Sequence, residues 1–174
     1  TYAEKKRFIK REWILDDMIE PLRPYYDIIF LDTHPSEKDP LLTYALVASS
    51  FVLVPTILDV SSIIATMRTV SIVESLQKQG VDINYRVVPM AVDFSKGFKK
   101  ELTELEEEFQ QQGIHKMTTA IRASSVVARD GIKGRTVNKD NKYIKKVMDD
   151  YRQLAREIDE VALPKQMTKM SYDD

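Results

Sequence analysis

The run Phe51-Val52-Leu53-Val54, which Pro55 follows, is apolar at every position. A strand with one face in water alternates apolar and polar residues, so a run without alternation indicates a strand covered on both faces, as in a parallel sheet. Two further segments are largely apolar in the same way, Asp27–Leu31 and Tyr85–Val92. Helical patterns separate the three segments, which predicts an α/β fold with a mostly parallel sheet and helices on both faces.

Apolar residues at helical spacing predict helices before, between and after these strands, over residues 4–22, 41–48, 62–79, 98–112 and 140–161. Ser61 or Ser62 is expected to cap the third helix, and Gly80 to end it. A short strand is also expected at Met117–Ile121. Residues 1–163 are expected to belong to one domain, and residues 164–174 to form a flexible polar tail.

The composition excludes several classes of site. The 174 residues include no cysteine, which excludes disulfides, thiol catalysis and cysteine-ligated metals. The only histidines, His34 and His115, are too few for a His-rich metal site. The longest apolar stretch, residues 45–55, is far shorter than the roughly 20 residues that span a bilayer. Nothing resembles a secretory signal, and we expect a cytoplasmic protein that does not bind membranes.

Asp32 directly follows the apolar segment Asp27–Leu31. Ligands of parallel sheets bind beyond the carboxyl ends of the strands, and a carboxylate there can hold Mg²⁺ beside nucleotide phosphates. Aspartate also ends many strands for structural reasons, so this position alone leaves both roles open. His34 is either a proton carrier in the same loop or a polar surface residue.

Residues 26–36, YDIIFLDTHPS, resemble the Walker B and switch II segment of the ParA/Soj partition ATPases, although His34 replaces the usual first proline. Further segments are similar to motifs of that family in the same order. They are residues 44–55 (YALVASSFVLVP), 87–93 (VVPMAVD), 120–122 (AIR) and 134–137 (GRTV), and Tyr151, Leu154, Ala155 and Glu157 of the last helix. The resemblance covers roughly residues 13–160.

This resemblance implies that residues 1–163 are the C-terminal portion of a ParA-like nucleotide-binding domain, with an incomplete P-loop NTPase-like fold. The Walker A loop of the family, KGG-x-GK-S/T, is absent from the 174 residues and is expected before Thr1. The intact protein is then expected to bind Mg-ATP, form a homodimer in the ATP state and coat DNA without sequence specificity. A ParB-like partner would stimulate ATP hydrolysis for plasmid or chromosome partition on the nucleoid. The 174 residues alone are expected to be inactive, because they lack the phosphate cradle.

The resemblance also implies roles for single residues. Asp32 would be the catalytic residue and would hold Mg²⁺ directly or through a bound water. Backbone groups near Pro35 would sense the γ-phosphate. The base would be framed by Met90, Asp93, Ile121 and Arg122, and Met90 stands where the family often has a polar residue, which leaves the preferred base open.

A basic segment follows these motifs. Residues 113–152 contain ten lysines and arginines but only four acids. Clustered cations can bind DNA phosphates without sequence specificity, which predicts a DNA-binding surface here. The alternative interpretation of these cations is a solvated helix face. Lys142, Lys145 and Lys146 share one side of the last helix with Asp149, opposite an apolar side that includes Tyr151. The predicted DNA-binding residues are Arg122, Arg129, Lys133, Arg135, Lys142, Lys145 and Lys146.

Two other classes of protein were weighed. A non-enzymatic signalling module would use Asp32 as the phospho-acceptor of a receiver-like domain, but it needs an acidic pair after its first strand, and Asp16-Asp17 lies in a predicted helix. A relative of the iron proteins is excluded by the absence of cysteine. A MinD-like membrane protein is disfavoured because Pro164 breaks the last helix and no apolar face follows it.

Overall fold

A computed structural model describes residues 12–34, 39–94, 98–132 and 142–162. The described elements are α1 (Ile14–Ile19), a 3-10 helix (Glu20–Tyr25), α2 (Pro40–Ala48), β1 (Phe51–Ile57), α3 (Val60–Lys78), β2 (Asn84–Met90), α4 (Phe98–Gln111), α5 (Ser125–Ile132) and α6 (Lys142–Ala162). The chain forms two compact units. The first contains residues 1–52 and 67–85, and the second contains residues 53–66 and 86–174. The predicted tail, 164–174, lies outside the described residues.

The two strands form a parallel pair, which confirms the α/β class. β1 contains the apolar run that predicted it, but it continues through Pro55 to Ile57 instead of ending at the proline. Pro55 is exposed, and a proline is tolerated in a strand where its missing N–H group would not have been paired. β2 covers most of the predicted strand Tyr85–Val92 and ends at Met90, two residues earlier than expected.

The segment Asp27–Leu31 is not a strand, and this prediction was wrong. Its residues have no regular secondary structure, and no strand pairs with them in the described part of the chain. Ile28 is 38% exposed and Phe30 is 81% exposed. An apolar segment becomes a strand only where a neighbour pairs with its backbone N–H and C=O groups, and no described residue supplies that neighbour.

Residues 115–123 run parallel to β2 but pair with it only at two places. Parallel bridges join Val87 to Lys116 and Val92 to Arg122, so one additional residue lies on the 116–122 side. Pro89 lies between the bridges and has no N–H group to donate, although its carbonyl accepts from the Ile121 amide at 2.9 Å. The expected strand at Met117–Ile121 is therefore an interrupted pairing with the geometry of a bulge.

The ends of α3 follow local hydrogen bonds. Asp59 caps the first turn by accepting from the Ser62 amide at 2.9 Å, so the predicted capping by a serine was wrong. Gly80 ends the helix as expected, with a φ of 87° that favours glycine. α5 was not predicted from the sequence. None of the described helices is long and apolar enough to cross a membrane.

Each unit has its own apolar interior. In the first unit, α1 packs against α2, and Trp13, Leu46 and Val73 are buried. In the second unit, the core contains residues of β2, of the 115–123 segment and of α6, namely Val88, Met117, Ile121, Val147 and Leu154. α6 is therefore packed against the end of β2, where several predicted site residues lie.

Candidate functional site

The carboxyl end of β2 lies beside residues 121–123. The Val92 amide donates to the Ile121 carbonyl at 3.0 Å, and the Ala123 amide donates to the Val92 carbonyl at 2.9 Å. Ala91, directly after the strand, has a φ of 54°, which is unusual for a residue other than glycine. Two segments that the family resemblance predicted to frame one base together are therefore neighbours in the fold.

The four predicted base-framing residues have different surroundings. Ile121 is a member of the core and is 3% exposed. Met90 is half-buried and packs against the same core. Asp93 is exposed and Arg122 is half-buried. The side chains of Asp93 and Arg122 are therefore better placed to meet a ligand than those of Ile121 and Met90.

Arg122 forms an ion pair with Asp150 of α6. Its Nε and Nη2 atoms donate to the two carboxylate oxygens at 2.6 and 2.7 Å, and its backbone N–H donates to Asp150 at 3.1 Å. These hydrogen bonds raise the pKa of the Arg122 guanidinium above its ordinary value, so the group stays charged. Asp150 itself is 8% exposed. The charge of Arg122, predicted to contact a base and DNA, is therefore largely compensated by a buried carboxylate.

Glu157, two turns further along α6, binds the irregular part of the neighbouring segment. Its carboxylate accepts from the backbone N–H groups of Thr118 and Thr119 at 2.5 and 2.8 Å. These amides lie where the pairing with β2 is interrupted opposite Pro89, so Glu157 supplies acceptors that the ladder does not. Asp150 and Glu157 together attach α6 to residues 118–122.

Sequence reasoning noted Glu157 only as a family match and counted Asp150 only as one of the few acids of the basic segment. A signal was present in the helical period. Val147, Asp150, Leu154 and Glu157 follow one another at three- and four-residue steps, so both acids lie on the apolar face of α6. An acid on such a face requires a hydrogen-bonding partner.

We expect Glu157→Gln to destabilise the protein by about 1–2 kcal/mol at pH 7, because a neutral amide accepts hydrogen bonds less strongly than a carboxylate. Burial alone would raise the pKa of the Glu157 carboxyl, but the amides of Thr118 and Thr119 outweigh it, and the pKa is lowered. The contribution is therefore complete above the ordinary glutamate pKa of about 4.3 and is lost as the pH falls through the lower pKa of the folded protein.

Urea unfolding of both proteins between pH 3 and pH 8 measures this effect. Glu160→Gln is the matched control, because Glu160 is exposed on the same helix. A Glu157→Gln protein that unfolds at the wild-type urea concentration at pH 7 would contradict the proposed attachment.

Asp32 belongs to the first unit and is exposed, two residues before the end of the described segment 12–34. No hydrogen bond or ion pair to Asp32 is present among the described residues. Pro35 lies outside them. The described residues contain no group of three or more acids and histidines able to hold a metal ion.

Four of the seven predicted DNA-binding residues lie on two helices, and Arg122 lies in the segment 115–123. Lys145 and Lys146 are exposed on α6, Lys142 is its first residue, and Arg129 is exposed on α5. Lys133 and Arg135 lie outside the described residues. Asp149, which was expected to weaken the lysine face, is paired with Arg152 at 2.9 Å.

The buried side of α6 differs from the prediction at one residue. Tyr151 was placed on the apolar side but is 45% exposed. Asp150 takes the inward position instead, because its carboxylate is paired with Arg122. Ile144, Val147 and Leu154 are buried as expected.

No protein-family model and no curated protein sequence matches this chain.

Proposed function

We propose that the intact protein is an ATPase of the ParA type, with a phosphate-binding loop preceding Thr1 and a P-loop NTPase-like parallel sheet covered by helices on both faces. The observation that carries the proposal is the pairing of Val92 with Arg122. It joins the segment VVPMAVD to the segment AIR, although about 30 residues separate them, at the end of a parallel strand where α/β proteins bind ligands.

Asp32 would act on the phosphates. Its exposed carboxylate suits Mg²⁺, which keeps several waters and takes one or two carboxylates as ligands. When bound, Mg²⁺ neutralises charge on the phosphate oxygens. Backbone groups near Pro35 would contact the γ-phosphate, and Met90, Asp93, Ile121 and Arg122 would surround the base. The side chain of Ile121 is buried, so it would support the base site from within the core.

DNA would be the second ligand. Lys142, Lys145 and Lys146 on α6, with Arg122, Arg129, Lys133 and Arg135, would contact phosphates without reading bases. A homodimer formed with ATP would double this surface and bind DNA more tightly than one protomer. A ParB-like partner would stimulate hydrolysis and release the protein from the nucleoid, moving a plasmid or chromosome.

We expect Lys145→Ala/Lys146→Ala to weaken ATP-dependent binding of the intact protein to random duplex DNA. The slope of log K against log salt is negative, and each lost phosphate contact should make it shallower by up to about 0.9. The double variant should therefore show a slope shallower by close to 2 per protomer. Fluorescence anisotropy titrations at several salt concentrations, with and without Mg-ATP, measure both the affinity and the slope.

Lys145→Arg/Lys146→Arg is the matched control, because it preserves both charges and should preserve the slope. Lys78→Ala removes an exposed lysine of α3 and should change neither quantity. An unchanged slope in the alanine variant would mean that these lysines form a solvated face and do not contact DNA. DNA binding with the same affinity in the presence and absence of Mg-ATP would contradict the proposed function.

A further inference from the structure

Phe94 presents an aromatic ring to solvent directly after the paired end of β2. It is 47% exposed, whereas Val92, two residues earlier, is 1% exposed. A single exposed apolar residue is common on protein surfaces. The surroundings of this ring are unusual, because three further features of the fold lie next to it.

The first feature is a cation over the ring. The Arg122 guanidinium carbon lies 5.4 Å from the centroid of the Phe94 ring, within the distance of a cation–π interaction. Arg122 is in turn held by both carboxylate oxygens of Asp150, so the guanidinium has little freedom to leave the ring. The ring therefore has a supported side, and about half of the residue remains accessible.

The second feature is the backbone that leads to the ring. Ala91 adopts a left-handed φ of 54° between the end of β2 and the bridge at Val92. Such a conformation is disfavoured for alanine and persists where the surrounding structure enforces it, often beside ligand sites. Here it turns the chain so that Val92 pairs inward and Phe94 follows on the outside.

The third feature is the position in the fold. Phe94 lies beyond the carboxyl end of a parallel strand, next to Asp93 and Arg122. This edge of a parallel sheet is where ligands bind in α/β proteins. A flat apolar surface fixed at this edge suits a flat ligand better than an extended one.

We propose that the Phe94 ring, supported by Arg122, is a stacking surface for a planar aromatic ligand, the purine base of the nucleotide. This inference rests on the proposed function and adds a residue to its site. Stacking on an aromatic ring tolerates every base, because each base has a π face. Phe94 therefore contributes affinity without selecting adenine over guanine.

The test compares ligands that contain a base with one that does not. In the intact protein, Phe94→Ala should weaken binding of Mg-ATP and Mg-GTP equally, by about tenfold, as loss of one stacked base implies. Binding of inorganic tripolyphosphate, which lacks the base, should not change. Tyr151→Ala, which removes an aromatic residue of similar exposure from α6, is the matched control and should leave all three affinities unchanged.

A spectroscopic measurement separates this inference from the proposed function. Trp13 is the only tryptophan, so Trp13→Phe/Phe94→Trp leaves one indole, placed at the stacking position. Adenosine alone, titrated to millimolar concentration, should quench its fluorescence, whether or not the protein hydrolyses ATP. If the wild-type protein does not hydrolyse ATP, the proposed function is contradicted. Quenching of the Phe94→Trp indole by adenosine would still support the stacking surface in that case.

Two results would overturn the inference. One is an indole that neither adenosine nor Mg-ATP quenches. The other is a Phe94→Ala protein that binds Mg-ATP as the wild type does. A change of oligomeric state in Phe94→Ala with unchanged affinity for Mg-ATP would assign the ring to a protein interface instead.

Discussion

Replacing Asp32 by alanine in the intact protein is expected to lower the rate of ATP hydrolysis at least about a hundredfold, which corresponds to about 2.7 kcal/mol of barrier. The proposed role of this carboxylate is to hold Mg²⁺ at the phosphates, and an alanine has no ligand to replace it. Its side chain is exposed, so stability should change by less than about 0.5 kcal/mol. Steady-state phosphate release with saturating Mg-ATP and DNA measures the rate.

Asp27→Ala is the control for this experiment. Asp27 is exposed in the same irregular segment and is given no part in the chemistry, so its replacement should preserve hydrolysis. Equal unfolding temperatures of the two variants would exclude loss of the fold as the cause. Hydrolysis by Asp32→Ala within about twofold of the wild-type rate would remove Asp32 from the mechanism.

Replacing Asp150 by alanine is expected to destabilise the protein by about 3 kcal/mol, because it leaves the Arg122 guanidinium and its backbone N–H group without their shared acceptor. For a chain of this length, that loss lowers the unfolding temperature by roughly 6–12 °C. Circular dichroism followed during heating measures the change. Asp150→Asn keeps part of the hydrogen bonding and should fall between the wild type and Asp150→Ala.

The neighbouring residue provides the matched control. Asp149 forms an exposed ion pair with Arg152, with side chains 55% and 52% exposed, and such pairs contribute little in water. Asp149→Ala should therefore change stability by less than about 1 kcal/mol. Similar unfolding temperatures for the two alanine variants would show that the buried ion pair of Asp150 contributes no more to stability than the exposed pair of Asp149.

One spatial relation in the candidate site could be predicted from the sequence. The end of β2 was expected to approach residues 121–122, and the two segments are hydrogen-bonded. The acids that hold this arrangement could not be assigned in the same way, because Arg122 and Asp150 are 28 residues apart, and Thr119 and Glu157 are 38 apart. Local periodicity places an acid on a helix face but does not name its distant partner.

The sequence by itself determined the elements whose stability is local or periodic. The unbroken apolar run of β1, the helical period of α6 and the glycine after α3 each correspond to an observed element. The tertiary structure alone decided where pairing occurs. Asp27–Leu31 is as apolar as β1 but has no described strand beside it, and Pro89 interrupts the pairing of β2 with residues 115–123. Backbone hydrogen bonds between strands need a partner strand from elsewhere in the chain. The residues of one segment do not show whether such a partner lies beside it in the fold.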